Sequence, residues 1–139
     1  MNIRLYNDQD HDGVVQLWQE DEPNPSPWND PREALRKKED FQPGLLFVAE
    51  EGGVVVGTTM AGYDGHRGWI YSVVVSPVYR RQGIASGLLN FAEQELEKLG
   101  CTKLNLQVRE GNDNAVALYK SLGYSIEPRV SMGKRLGSV

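Results

Sequence analysis

The chain has 139 residues, 40% of them hydrophobic and 24% charged, with a formal net charge of −4. That length suits one domain with a sizeable core, and the acidic balance excludes broad nucleic-acid binding, which needs a basic face to displace counterions. The single cysteine, Cys101, excludes an internal disulfide framework, and no apolar run has the length of a membrane span or a secretion signal, so a cytoplasmic protein without a membrane partner is expected.

Ile3 and Leu5 alternate with polar residues and predict a short first strand. Asn7 or Asp8 can cap a helix whose apolar stripe is Val14, Val15, Leu17 and Trp18. The run Glu22-Pro23-Asn24-Pro25-Ser26-Pro27 cannot be regular structure and reads as a loop. Asp30-Pro31-Arg32-Glu33 predicts a helix start with a capping box, and the helix it opens, Pro31 to Glu39, reads as a surface element. Its basic cluster, Arg36, Lys37 and Lys38, reads as a solvated face.

Leu45 to Glu50, the Gly52-Gly53 turn and Val54 to Met60 predict a β-hairpin, with Gly57 marking a bulge or a close backbone approach. A turn at Asp64-Gly65-His66-Arg67-Gly68 leads into a fourth strand, Trp69 to Val75, stopped by Pro77. Helical spacing then runs from Gly83 to Leu99, with Gly100 as its stop. Cys101 reads as a small buried hydrophobe. Leu104, Leu106 and Val108 alternate as a fifth strand, Asn112 to Leu122 is a further helix, and Tyr124 to Met132 is a last strand weakened by Pro128. Residues 1–139 read as a single domain, with no internal repeat.

The most informative stretch is Val73-Val74-Val75-Ser76-Pro77-Val78-Tyr79-Arg80-Arg81-Gln82-Gly83-Ile84-Ala85. A β-branched strand stops at a proline, a basic turn follows, and a glycine opens a helix. A helix start offers free N–H groups and the positive end of a dipole, so it can hold a phosphate. The spacing matches neither G-x-G-x-x-G nor the P-loop. It is Arg-x-x-Gly-x-Ala, and it resembles the pyrophosphate-binding turn of the GNAT superfamily of N-acetyltransferases. A second segment, Asn112-Asp113-Asn114-Ala115-Val116-Ala117-Leu118-Tyr119-Lys120-Ser121-Leu122-Gly123-Tyr124, is similar to that family's Asn-x-x-Ala-x-x-Leu-Tyr-x-x-x-Gly-aromatic helix. Pro27 to Pro31 and Gly62 to Gly68 also resemble segments of the bacterial YpeA-like acetyltransferases.

The resemblance implies an α/β (α+β) fold, a mixed and mostly antiparallel sheet with helices on both faces, in the order β-α-α-β-β-β-α-β-α-β. It implies acetyl-coenzyme A as acetyl donor and a primary amine as acceptor, either a small molecule or a peptide N-terminus. The pyrophosphate would lie on Arg81, Gln82, Gly83, Ile84, Ala85 and Ser86, with Arg80 and Arg81 adding charge. The pantetheine would pair with the backbone of Val73, Val74 and Val75, and Asn112 would contact it as well as capping its helix. Tyr119 matches the tyrosine that protonates the leaving thiolate; a phenol holds its proton at neutral pH and can give it up. Related enzymes that modify protein N-termini carry a glutamate on the fifth strand where this chain has Gln107, so a water relayed to Glu110 or to backbone carbonyls is the expected base. His66 reads as a surface loop residue.

Trp28, Tyr63, Trp69 and Tyr71 could wall an acceptor pocket, and Asp64 could attract a cationic amine. No His, Cys, Asp or Glu cluster has metal-ligand spacing, so no metal is expected. A homodimer through exposed sheet edges is a further expectation of the resemblance. The rival reading is a coenzyme A-binding sensor or interaction module without turnover, which the missing strand carboxylate would favour.

Overall fold

The computed structural model describes residues 1–137. Two compact units, Met1–Gln107 and Val108–Val139, are described in turn.

The first unit runs β1 (Asn2–Leu5), α1 (His11–Asp21), α2 (Pro31–Asp40), β2 (Leu46–Glu51), β3 (Val54–Tyr63), β4 (Gly68–Val75), α3 (Ile84–Lys98) and β5 (Leu104–Leu106). The sheet order is β1-β2-β3-β4-β5. The first four strands pair antiparallel and β5 joins β4 in parallel. The mixed, mostly antiparallel sheet is therefore as the resemblance implies.

Helices cover both faces, and β2 shows why its apolar run is nearly unbroken. Leu46 and Val48 belong to a core with Val14, Val15, Leu17 and Trp18 of α1 and Leu35 of α2. Phe47 points the other way and meets Phe91 of α3, with ring centroids 5.2 Å apart. A strand buried on both faces has no polar side to show. Each fully buried side chain of this size contributes about 1.5–3 kcal/mol relative to exposure.

Gly57 carries both features its position in a strand predicts. Pairing of Ala49 with Gly57 and of Glu50 with Val55 leaves Val56 as an extra residue, a bulge. A Cβ on Gly57 would sit 3.0 Å from Ile84 Cγ2 and 3.1 Å from Leu88 Cδ1. The bare backbone lets the first turns of α3 lie directly on β3.

Entry into α1 differs from a simple cap. Asn7 caps a short 3-10 turn, Asp8–Asp10, and its backbone N–H reaches the Asp10 carboxylate at 2.9 Å, forming a reciprocal box. Arg4 of β1 grips Asp10 with two bonds of 2.7 and 2.9 Å. The box expected at α2 forms only by half: Asp30 accepts from the Glu33 N–H, but the Glu33 carboxylate turns to Arg36.

Three expectations are corrected. Lys38 is not on a solvated face: it is 9% exposed, because α2 lays Pro31, Leu35 and Lys38 inward. β5 ends at Leu106, short of Val108. In the second unit α4 spans Asp113–Ser121, and no strand forms over 124–132 among the described residues. Pro128 has no N–H to donate, and Ile126, Val130 and Met132 are 73%, 88% and 91% exposed, so the alternation has no buried face to answer it. No helix of the described residues is long and apolar enough to cross a membrane.

The Arg4–Asp10 grip makes a pH prediction. Hydrogen bonds from Arg4 hold the Asp10 carboxyl below its ordinary value, against the opposing effect of burial. A carboxyl depressed in the folded state stabilises above its unfolded pKa of about 4, and that contribution is lost as pH falls through the folded value. Asp10→Asn is expected to lower unfolding free energy by about 2 kcal/mol at pH 7, and the gap between variant and wild type should close toward pH 2–3 in urea titrations.

Candidate active site

Two features at one end of the sheet create an accessible strip of backbone. Pairing of β4 with β5 covers only Gly68 to Ile70, opposite Leu104 to Leu106. From Tyr71 to Val75, β4 continues against β3 alone in this sheet. Within that stretch Thr58 faces Val74 and Met60 faces Tyr71, so β4 carries an extra residue, and Ser72 adopts a left-handed φ of 51°. A non-glycine residue in that region costs about 1–2 kcal/mol, so something must hold it. Thr58 does: its hydroxyl donates to the Ser72 carbonyl at 3.1 Å and accepts from Trp18 Nε1 at 2.8 Å. The Trp18–Thr58 bond is buried and the Thr58–Ser72 bond half-buried, and both partners lose their bond without the hydroxyl.

Beyond β4, a 3-10 turn at Pro77–Tyr79 leads to the basic turn. Arg81 (φ 64°) and Gly83 (φ 79°) are both left-handed, and Gly83 opens α3 with no side chain capping it. The N–H of Gly87 closes on the Gly83 carbonyl at 3.0 Å. The N–H groups of Ile84, Ala85 and Ser86 therefore precede the helical ladder and point outward from its start. Arg80, Arg81, Gln82 and Gly83 are exposed, Ala85 and Ser86 half-buried. The Ile84 side chain is buried against Gly57, so only its backbone can serve a ligand. Arg80 turns back and donates Nε to the Val75 carbonyl at 3.1 Å, tying the turn to the end of β4. Val73 and Val75 are half-buried and Val74 is buried.

A cleft of about 370 Å³ lies under α2, lined by Ala34, Lys37, Lys38, Phe41, Gln42 and Met60. The cleft is shallow and open to solvent, with mostly apolar walls. It arises because β2 begins at Leu46, opposite Met60, while β3 runs on to Tyr63. The β3 backbone past Met60 takes its bonds from α2 and the segment after it. Lys38 donates its ammonium to the Ala61 carbonyl. Gln42, itself left-handed (φ 55°), donates Nε2 to the Tyr63 carbonyl at 2.6 Å and accepts the Tyr63 N–H on Oε1 at 3.0 Å. Burial lowers the Lys38 pKa to about 8.

Of the residues the sequence suggested for the acceptor, Tyr63 and Tyr71 gather at this end. Tyr71 pairs with Met60, and Tyr63 with Gln42. Burial, and then the Asp64 charge, raise the Tyr71 hydroxyl above its ordinary value. Asp64 staples its own loop: Oδ1 accepts the N–H groups of His66 and Arg67, each at 2.8 Å, and these bonds hold its carboxyl low. Trp28 sits apart from the cleft lining, half-exposed in the turn Pro27–Asn29. Sequence reasoning missed Lys38, Phe41, Gln42 and Met60. A left-handed residue before Pro43 leaves no signal in composition, and the burial of Lys38 depends on where α2 docks.

In the second unit Asn112 caps α4, its side-chain oxygen accepting the Ala115 N–H at 3.2 Å. Tyr119 stacks edge-on to Tyr124 with centroids 5.8 Å apart, and burial raises its hydroxyl pKa. Glu110 is exposed in the turn before α4, and Gln107 is exposed after β5.

The acetyltransferase (GNAT) family matches residues 12–124. An acetyltransferase of Yersinia pestis (strain Pestoides F) is 41% identical over 136 residues, 98% of this chain and 96% of that protein. Among solved structures, the aminoglycoside N-acetyltransferase AAC(6')-Iy in complex with CoA has a TM-score of 0.81 at 18% identity, over 96% of this chain and 93% of that one. Ard1 from Thermoplasma volcanium has a TM-score of 0.80 at 23% identity, over 91% of this chain and 83% of that one.

Removing the Thr58 hydroxyl tests what holds the bulge. Thr58→Val keeps the shape but leaves Trp18 Nε1 and the Ser72 carbonyl unpaired, and should lower stability by about 2 kcal/mol. Thr58→Ser, which keeps the hydroxyl, should retain the larger part in the same denaturation experiment.

Proposed function

Since the chain belongs to the GNAT acetyltransferase family, and is an acyltransferase drawing on acetyl-coenzyme A, we propose that it transfers acetyl directly to a primary amine in a ternary complex. The observation that carries this reading is the pair of backbone features at one end of the sheet: free N–H groups at the mouth of α3 and the strip of β4 beyond Ile70.

These residues fit the cofactor. The N–H groups of Ile84, Ala85 and Ser86, aided by the helix dipole and the Arg81 charge, hold the pyrophosphate. Gly83 takes its left-handed φ without a Cβ in the way, and Gln82 lies beside it on the same turn. The backbone of Val73, Val74 and Val75 pairs with the two pantetheine amides as an added strand would. Arg80, committed to the Val75 carbonyl, keeps turn and strand in register. When bound, acetyl-coenzyme A supplies the activated thioester.

The acceptor is a small-molecule amine or a peptide N-terminus, received at Tyr63, Tyr71 and the cleft under α2. The amine attacks as its lone pair, so its ammonium form first gives up a proton. Gln107 cannot take it, and we assign it to a water leading to Glu110. As the carbon–nitrogen bond forms and the carbon–sulfur bond breaks, Tyr119 gives its proton to the departing sulfur, and the second proton shed by the nitrogen restores the phenol. The upward shift of its pKa keeps that proton in place at neutral pH. The side-chain N–H groups of Asn112 remain available to the pantetheine beside its capping oxygen. Asp64 and Trp28 are retained as acceptor-side residues, Asp64 through its second carboxylate oxygen. This activity takes residues 1–139 as one catalytic domain, a reading supported by the family match over 12–124, which runs across the division at Gln107.

Acetyl-coenzyme A consumption over an amine panel tests the reading. Tyr119→Phe should lower kcat by about 10²–10⁴ while coenzyme A affinity by calorimetry stays within about twofold. Unchanged turnover would remove Tyr119 from its role, and binding without turnover in the wild type would leave a coenzyme-binding module. Gly83→Glu places a like charge and a strained side chain at the pyrophosphate and should abolish coenzyme A binding.

A further inference from the structure

We infer that the cleft under α2 is an anion subsite of the acceptor pocket, built on Lys38, and that the acceptor is an amine bearing a carboxylate on a short apolar body. This rests on the acetyltransferase reading and narrows its substrate class.

An ammonium has three donors. Lys38 gives one to the Ala61 carbonyl, and among the described residues no carboxylate forms an ion pair with it. A buried cation without an anion is costly, and offsetting that cost requires a partner. Lys38 is 9% exposed and lines the cleft, so its remaining donors have the cleft as the place to find one. With its pKa lowered to about 8, it is still mostly charged at neutral pH.

The surroundings reinforce the positive field. Lys37 lines the same cleft. The acids of α2 are engaged elsewhere: Glu33 and Asp40 with Arg36, and Glu39 with the Tyr6 hydroxyl. Asp64, on the β3–β4 loop, is turned into its own loop amides. Ala34, Phe41 and Met60 supply apolar walls, and Phe41 is 74% exposed at the rim. Met60 lies directly opposite Tyr71, where the unpaired stretch of β4 begins. An anchored carboxylate in this cleft thus holds its ligand beside the strand proposed to carry the thioester arm. A purely structural Lys38, serving only as cap to Ala61, would give no preference between acid and amide ligands.

The wild-type protein decides between these. L-Methionine, L-phenylalanine and the dipeptide Met-Leu are each compared with their carboxamides, by KM for acetyl transfer and by calorimetry in the presence of coenzyme A. At least one acid should bind ten times or more tighter than its amide. Lys38→Met should raise the KM of that acid to the level of the amide, and Lys38→Arg should recover part of the preference. Equal values for every acid and amide, or a Lys38→Met effect that shifts acid and amide alike, would overturn the subsite while leaving the enzyme standing. Lys38-dependent binding of an acid without transfer to any amine would uphold the subsite and sink the acetyltransferase reading. Where Lys38→Met fails to fold, the wild-type acid-to-amide ratio decides by itself: a ratio of ten or more upholds the subsite, and a ratio near one overturns it.

Discussion

A parallel strand pair that stops after three residues governs this molecule. β5 meets β4 only from Gly68 to Ile70, and its partner then continues alone on that side. Unpaired backbone is expensive to leave inside a protein and useful to leave at its surface. Here it lies beside the start of α3, so two sets of free donors and acceptors are delivered to the same region by one interruption of the sheet. The bulge at Ser72 belongs to the same arrangement. It changes which way the later residues of β4 present their peptide groups, and the Trp18–Thr58–Ser72 chain pins it from the opposite layer.

The placement of α3 follows from a residue without a side chain. Gly57 lets the helix rest on β3, and the same contact buries Ile84, the first residue of the helix. The helix mouth is therefore fixed by core packing, and its amides carry no packing duty of their own. A site assembled from backbone on rigid elements is pre-organised: the ordering cost has been met during folding rather than on ligand binding.

Much of this was legible in the residues. The Gly52-Gly53 hairpin, the long amphipathic α3 and the Asn112 cap each rest on local chemistry, and each forms where local chemistry places it. The glycine-opened turn with its two arginines is legible for the same reason. What the residues alone do not disclose depends on partners far along the chain. The Ser72 bulge exists because Thr58 and Met60 set a register that no local pattern encodes. Lys38 looks like the solvated neighbour of Lys37 until α2 is laid against the end of β3. The final segment shows the reverse: alternation over 124–132 suggests a strand, but Pro128 and the lack of a covering face leave the pattern without effect.

The contacts of Lys38 and Gln42 also bear on how copies of the chain can meet. Their side chains occupy the Ala61 carbonyl and both peptide groups of Tyr63, where β3 outruns β2. A primary amide offering one donor and one acceptor at peptide-like spacing imitates a neighbouring chain, and it shuts that ladder to intruders. Sheet extension between molecules is thereby confined to the short outer rims of β1 and β5, four and three residues long, and to the strip of β4 past Ile70.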